Sequence, residues 1–112
     1  MEFAENNRGG QNMQFIITAH DGENMYEKRM AIRQRHLDNI AKLMEQRHIL
    51  CAGGILDADG KLAGSALVMD FEDREQLDEY LRSEPYMTEK VWAAVVIEQM
   101  NVVIVNNEKV GK

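Results

Sequence analysis

Apolar and polar residues divide the first half of the domain into clear segments. Residues 15–19 form a compact apolar run of β-type, which a His-Asp-Gly turn ends at residues 20–22. From about residue 25 to residue 47 there is no glycine or proline and strong helix formers dominate, which predicts one long helix. A second strand is predicted at residues 49–55, where Gly53-Gly54 indicates a bulge or a close backbone approach.

The second half continues with two strands and a shorter helix. The DADG sequence at residues 57–60 predicts a hairpin turn that leads into a strand at about residues 63–71. Residues 73–76 resemble a capping box that opens a helix, and this helix has to end before Pro85. A last long strand is predicted from about residue 91 to residue 103.

The predicted order is therefore β-α-β-β-α-β. This order is typical of an α+β domain with a ferredoxin-like layout, in which four antiparallel strands carry both helices on one face.

The strands also predict what covers the other face of the sheet. A strand with one face in water alternates apolar and polar residues, but residues 15–17, 66–69 and 91–97 are apolar at both parities. Two helices cover only one face, so we expect a second copy of the chain to pack sheet to sheet against the other. The eight methionines suit such an adaptable surface. The sequence thus predicts a homodimer.

One stripe of the first predicted helix carries both core residues and charges. At 100° per residue, Ile40 and Leu43 lie on the same side as Arg29, Arg33 and His36. Because an unpaired buried cation is costly, two interpretations remain open. Either the amino-terminal half of the helix overhangs the sheet and is solvated, or it lines a pocket that holds acidic side chains or an anionic ligand.

Length and charge bound the class of protein. With 112 residues the chain has the size of one domain. We predict a flexible leader at residues 1–12, the folded domain at residues 13–105 and a tail at residues 106–112. The net charge of −6 and the pI near 5.0 argue against nucleic acid or an anionic membrane as the partner.

The cysteine content indicates a reducing compartment. Cys51 is the only cysteine, so the chain has no intrachain disulfide and no cysteine-based zinc framework. It lies in an apolar run, and we interpret it as a small core residue rather than as a catalytic thiol. We expect a cytoplasmic protein.

Most catalytic and cofactor motifs are absent from the sequence. His20, His36 and His48 are too scattered for metal spacing, and we interpret His20 and His48 as ordinary surface or turn residues. The Gly64-Ser65 pair is not a nucleophile elbow, although a Ser-His-Asp triad stays open. The glycines form no phosphate-binding loop. We expect neither a metal ion nor a cofactor.

Four short motifs resemble the YCII-related family. They are EKRMAIRQRHL at residues 27–37, LCAGG at residues 50–54, GSA at residues 64–66 and SEPY at residues 83–86. In this family an arginine precedes a His-Leu pair by three residues, and an Asp-Pro-Tyr motif follows the second helix. Their order and spacing match over about residues 13–103, nearly the whole predicted domain.

The resemblance implies a dimeric α/β-barrel with a pocket between the first helix and the sheet. It also implies a catalytic His-Asp pair, which corresponds here to His36 and Glu84, so that a glutamate stands where the family usually has aspartate. One branch of the family eliminates HCl from a chlorinated hydroxyquinone, and related barrels include isomerases and cofactor-free oxygenases.

The resulting hypothesis is a cofactor-independent acid–base enzyme of lyase or isomerase type that acts on a small anionic organic molecule. Glu84 would accept a hydrogen bond from one ring nitrogen of His36, while the other nitrogen transfers a proton. Arg33, together with Arg29, would bind the substrate anion. Ser65 and Tyr86 would orient the ligand.

The alternative hypothesis is a module of the same dimeric fold that binds a small molecule or a partner without catalysis.

Overall fold

The computed structural model describes residues 12–112 and contains a main sheet, three helices and a small hairpin in this range. In chain order, the elements are β1 (Met13–Asp21), α1 (Tyr26–Glu45), β2 (Ile49–Leu56), β3 (Leu62–Phe71), α2 (Arg74–Ser83), α3 (Pro85–Thr88), β4 (Trp92–Met100), β5 (Ile104–Val105) and β6 (Glu108–Lys109). No helix in the described range is both long and apolar enough to cross a membrane. The predicted leader lies, except for Asn12, outside the described residues, and the limits of the domain and tail stay predictions.

Four strands form one antiparallel sheet in the order β2-β3-β1-β4. The central strand β1 pairs on both sides, so that Ile17 lies opposite Leu67 of β3 and opposite Ile97 of β4. With α1 between β1 and β2 and α2 between β3 and β4, the layout is βαββαβ. The predicted α+β, ferredoxin-like fold class is therefore confirmed.

The core lies between the helices and one face of the sheet. Alternate residues of β1 and β3 are buried there, as period-2 geometry requires. They are Phe15, Ile17, Ala19, Leu67, Met69 and Phe71, and α2 adds Leu77, Tyr80 and Leu81. Each large side chain buried in this way contributes about 1.5–3 kcal/mol relative to exposure. This core holds α2 firmly against the sheet.

The opposite face of the sheet has no helix on it and is apolar at its centre. We call this the open face, and its central residues are Ile16, Thr18, Ala66, Val68 and Val96. Val96 is 54% exposed. The strands are apolar at both parities because the sheet has two apolar faces. In the single chain, only one of these faces is covered.

The final strand is shorter than predicted. β4 ends at Met100, and the chain then forms the small hairpin of β5 and β6. Asn106 and Asn107 form its two-residue loop with φ of 53° and 66°, the left-handed values that such a turn requires. Because the segment pairs with itself, it does not extend the main sheet.

One prediction for β2 was wrong, and another held in one of its two forms. The register of β2 shifts between Ile49 and Cys51 and again between Ile55 and Leu56, so no bulge lies at the glycine pair itself. Gly54 is a close approach, the other form of that prediction, because a Cβ there would collide with the Leu62 side chain. Cys51 is exposed and not a core residue, since it pairs with Val68 and therefore lies on the open face.

Helix α2 begins as predicted, with Asp73 Oδ1 accepting a hydrogen bond from the Gln76 backbone at 3.0 Å. The sequence reasoning missed α3. Pro85 was interpreted only as a stop signal, but proline also suits the first position of a helix, and it occupies that position in α3.

Candidate functional site

Glu84 lies at the junction of two helices, where it ends α2 and caps α3. Its backbone is extended, with φ of −72° and ψ of 119°. Its side chain turns back to accept a hydrogen bond from the backbone N–H of Tyr86 at 3.0 Å, which is the usual role of an N-cap carboxylate. The junction therefore fixes the carboxylate in one position facing α1.

Two further donors converge on the Glu84 carboxylate, which is fully buried. The Tyr80 hydroxyl donates to Oε1 at 2.6 Å, and Nδ1 of His36 lies 2.8 Å from Oε2. An ionised glutamate only accepts hydrogen bonds. With Glu84 in that form and the imidazole neutral, the ring proton is on Nδ1 and the lone pair is on Nε2, and His36 lines the adjacent cavity. The predicted His36–Glu84 pair is thus brought together, and the longer glutamate side chain reaches the imidazole.

The ring of Tyr86 lies between two side chains of α1. It stacks on the His36 ring with centroids 4.2 Å apart and planes inclined by 22°, and the Arg29 guanidinium carbon lies 4.3 Å from its centroid. Arg29 and His36 are seven residues apart, which is a rise of about 10 Å along a helix. That rise accommodates one ring sandwiched between them. Tyr86 therefore fixes the orientation of His36 from one side while Glu84 fixes it from the edge.

Arg29 has a structural partner that the sequence reasoning missed. Its Nε and Nη2 donate to the two carboxylate oxygens of Asp21 at 2.7 and 3.2 Å, and Arg29 is only 3% exposed. The overhang interpretation is therefore wrong at this position. The pocket interpretation called for acidic side chains, but nothing in the sequence selected Asp21 among 19 acidic residues. Arg29 lines the cavity and also acts as a support, because two of its nitrogens are engaged.

Ser65 connects Arg29 to the sheet. Its hydroxyl oxygen accepts from Arg29 Nη2 at 2.8 Å and from the Trp92 indole at 3.3 Å. Since a hydroxyl has two lone pairs and one proton, these contacts leave the proton for a third partner. Ser65 is buried at the wall of the cavity, and the proton is available to a ligand there.

The cavity next to these residues has a volume of about 470 Å³ and lies between α1 and the β2–β3 half of the sheet. Its lining is divided along α1. The polar end has Arg29, Arg33, His36, Ser65 and Tyr86. The apolar end has Leu37, Ile40, Met44, Ile49, Leu50 and Leu67. All six predicted site residues lie at or next to the polar end, and Arg33 is exposed to solvent there.

The two phenols of the site are held in the neutral form. Burial raises the pKa of Tyr86, although the charges of Arg29 and Arg33 oppose this shift. Burial, followed by the charge of Glu84, raises the pKa of Tyr80. Among the described residues, the Tyr86 hydroxyl is the buried side-chain group without a hydrogen-bond partner. Buried polar groups in proteins usually have such a partner.

The other two histidines lie elsewhere. His20 is exposed, as predicted. His48 is partly buried, with its ring against Phe71 and Nδ1 2.8 Å from the carbonyl oxygen of Asp70. Between residues 12 and 112, no three His, Cys, Asp or Glu side chains cluster closely enough to hold a metal ion.

Comparison with known proteins supports the resemblance noted in the sequence. An uncharacterised protein of Haemophilus influenzae is 29% identical over 92 residues, which cover 77% of this chain and 94% of that protein. Protein YciI of Escherichia coli is 26% identical with the same coverage. Among solved structures, 5-chloro-2-hydroxyhydroquinone dehydrochlorinase of Burkholderia phenoliruptrix, in complex with 2,5-dihydroxybenzoquinone, superposes with a TM-score of 0.73. That similarity covers 79% of this chain and 93% of the dehydrochlorinase at 24% identity, and it shows the shared fold.

The family model gives the assignment. The YCII-related domain matches residues 13–101, which is most of the chain and includes β1 to β4. This chain therefore belongs to the YCII-related family.

Proposed function

We propose that the chain is a cofactor-independent acid–base enzyme, of lyase or isomerase type, that acts on a small anionic organic molecule. The observation that carries the proposal is the arrangement of His36. Its Nδ1 is bound by Glu84, its ring is stacked on Tyr86, and its Nε2 is left for a substrate in the cavity. A histidine held in one tautomer beside a cavity is suited to general acid–base catalysis.

The proposed reaction begins with transfer of a substrate proton to Nε2 of His36. The electron pair of the broken bond then either expels a leaving group, as in a lyase, or returns to another carbon that takes up the proton, as in an isomerase. No oxidant or reductant is consumed in either case. The imidazolium that forms is stabilised by the buried carboxylate of Glu84.

Arg33 has the proposed role of binding the negative charge. It is exposed at the polar end of the cavity, one turn before His36 on α1. A guanidinium there pairs with a carboxylate, phenolate or enolate oxygen and stabilises the charge that develops on proton removal. The Ser65 and Tyr86 hydroxyls would bind the remaining substrate oxygen atoms.

The dehydrochlorinase with the same fold supports the choice of substrate class. It is named for its action on a chlorinated hydroxyhydroquinone and was solved with a dihydroxyquinone. Such compounds are acidic and oxygenated, which suits the polar end of this cavity.

The homodimer and the cytoplasmic location belong to the same proposal. The apolar open face supports the homodimer, because a second sheet packed on it would remove Ile16, Val68 and Val96 from water. The acidic pI and the single free cysteine are consistent with a reducing cytoplasm.

The experiment that tests the function measures proton exchange and turnover. The protein is incubated in D₂O with 2,5-dihydroxybenzoquinone, and loss of the ring hydrogen signals is followed by NMR; chloride release from 5-chloro-2-hydroxyhydroquinone is measured in parallel. We expect His36→Asn to reduce the catalysed rate at least about 100-fold, the usual lower range for a lost acid–base group. His20→Asn, at an exposed histidine outside the cavity, is the matched control and should leave the rate unchanged.

The outcomes separate catalysis from binding. Full exchange or turnover in His36→Asn would overturn the acid–base role. If neither substrate reacts but both bind, and if Arg33→Ala removes binding while His36→Asn does not, the cavity belongs to a binding module instead.

A further inference from the structure

The cavity is larger than a single oxygenated ring requires. An apolar cavity of about 150 Å³ holds one benzene ring, and the cavity beside α1 has about three times that volume, 470 Å³. A ligand that engaged only the polar end would leave most of this volume filled with water against apolar side chains. The size therefore argues for a ligand with a second part.

The second part of the cavity differs in chemistry and lies at a distance. Arg33 and Met44 are eleven residues apart on α1, which is a rise of about 16 Å. Met44 is 62% exposed and lines the apolar end with Ile40 and Ile49, whereas Arg33 lines the polar end. One helix thus presents a cation at one end of the cavity and apolar side chains at the other.

A small residue on the sheet makes room for this cavity. Ala52 lies opposite Leu67, on the face that looks toward α1. A larger residue at this position would fill part of the space between α1 and the β2–β3 half of the sheet. The space is therefore a property of the packing and extends along β2.

We infer that the substrate is an amphiphilic anion, with an oxygenated head at Arg33 and an apolar substituent along Ile40, Met44 and Ile49. The inference rests on the proposed function in that it takes the same cavity as the binding site. It adds that affinity depends on an alkyl or aryl group that contacts no acid–base residue. Burial of each methylene group contributes about fourfold in affinity.

The test measures binding alone. Straight-chain carboxylates from butanoate to decanoate are titrated into the full chain, and the fluorescence of Trp92, which contacts Ser65, reports binding. We expect Kd to fall about fourfold for each added methylene until the apolar end is filled. A Kd that does not change with chain length, or no binding at any length, would overturn the inference.

A pair of charge substitutions locates the effect. Met44→Glu places a carboxylate at the apolar end and should abolish the gain per methylene while leaving the Kd of butanoate within about twofold, because about 16 Å exceeds the screening length. Met30→Glu makes the same change at an exposed position of α1 outside the cavity and should keep the gain. An unchanged gain in Met44→Glu would place the alkyl chain elsewhere.

The result is independent of catalysis. A gain per methylene, combined with full exchange or turnover in His36→Asn, would refute the acid–base proposal and keep this inference. Turnover of a ring without a substituent, combined with a Kd that is independent of chain length, would refute this inference and keep the acid–base proposal.

Discussion

The carboxylate of Asp21 and the guanidinium of Arg29 form a two-pronged ion pair at the end of β1, with both side chains at most 5% exposed. The pair holds Arg29 against Tyr86 and Ser65, so it supports the polar end of the cavity without belonging to the proposed reaction.

The first prediction concerns the stability that depends on this pair. Asp21→Ala leaves a buried cation without its partner, and we expect a loss of about 3–5 kcal/mol in the free energy of unfolding. The measurement is denaturant unfolding followed by circular dichroism.

The matched control is the exposed pair of Arg35 and Glu89. Glu89→Ala removes one partner at the surface, where such pairs contribute at most about 1 kcal/mol. Similar losses in the free energy of unfolding of both variants would show that the buried pair stabilises the fold no more than the exposed pair does.

The second prediction concerns stability at alkaline pH. Burial raises the pKa of Tyr80 and of Tyr86 above the ordinary value of about 10. Above about pH 10 the unfolded chain therefore binds fewer protons than the folded chain, and the free energy of unfolding falls as pH rises. A tyrosine that stays protonated in the folded chain contributes a slope of up to about 1.4 kcal/mol per pH unit in this range.

Tyr80→Phe isolates the contribution of one phenol. It should be less stable at pH 8, because the Glu84 carboxylate loses the hydrogen bond to its Oε1. Its stability should also fall less steeply above pH 10, by about 1.4 kcal/mol per unit. Denaturant unfolding from pH 8 to pH 11 measures both effects, and parallel pH curves for the two proteins would contradict the buried neutral phenol.

The third prediction concerns assembly through the open face. The chain should sediment as a dimer at micromolar concentration, and Val96→Asp should convert it to a monomer, because it places a charge in an apolar interface. Met30→Asp, at an exposed position on α1, should remain a dimer. A monomeric wild-type chain would refute the proposed homodimer.

The fold was readable from the sequence because its signals are local. A helix without glycine or proline, a capping motif at Asp73 and apolar strands set the element order, and the structure confirms that order. The exact ends depend on longer-range contacts, as at β4, where the hairpin of β5 and β6 takes up the residues that follow. The exposure of Cys51 depends on strand register, which an apolar run does not reveal.

The site was readable in part. His36 came from the charged stripe of the first helix and from a family motif, whereas Glu84 and Tyr86 came from a family motif alone. The structure places the three in contact. Asp21 was not found, because a partner eight residues from Arg29 across a turn has no fixed spacing. Tyr80 carried a usable signal, since it precedes Glu84 by four residues at the end of the same helix, and such pairs face each other.

Strand β2 separates two environments with a single layer of backbone. It is an edge strand, and residues 50–52 line both the cavity beside α1 and a second hollow of about 690 Å³ on the open-face side, next to β5. Most of its residues are exposed in the single chain, so little packing protects its amide hydrogens from exchange. A molecule bound in the cavity or in the second hollow would slow the exchange of these amide hydrogens. Strand β2 is therefore the segment through which binding on one side affects the other side.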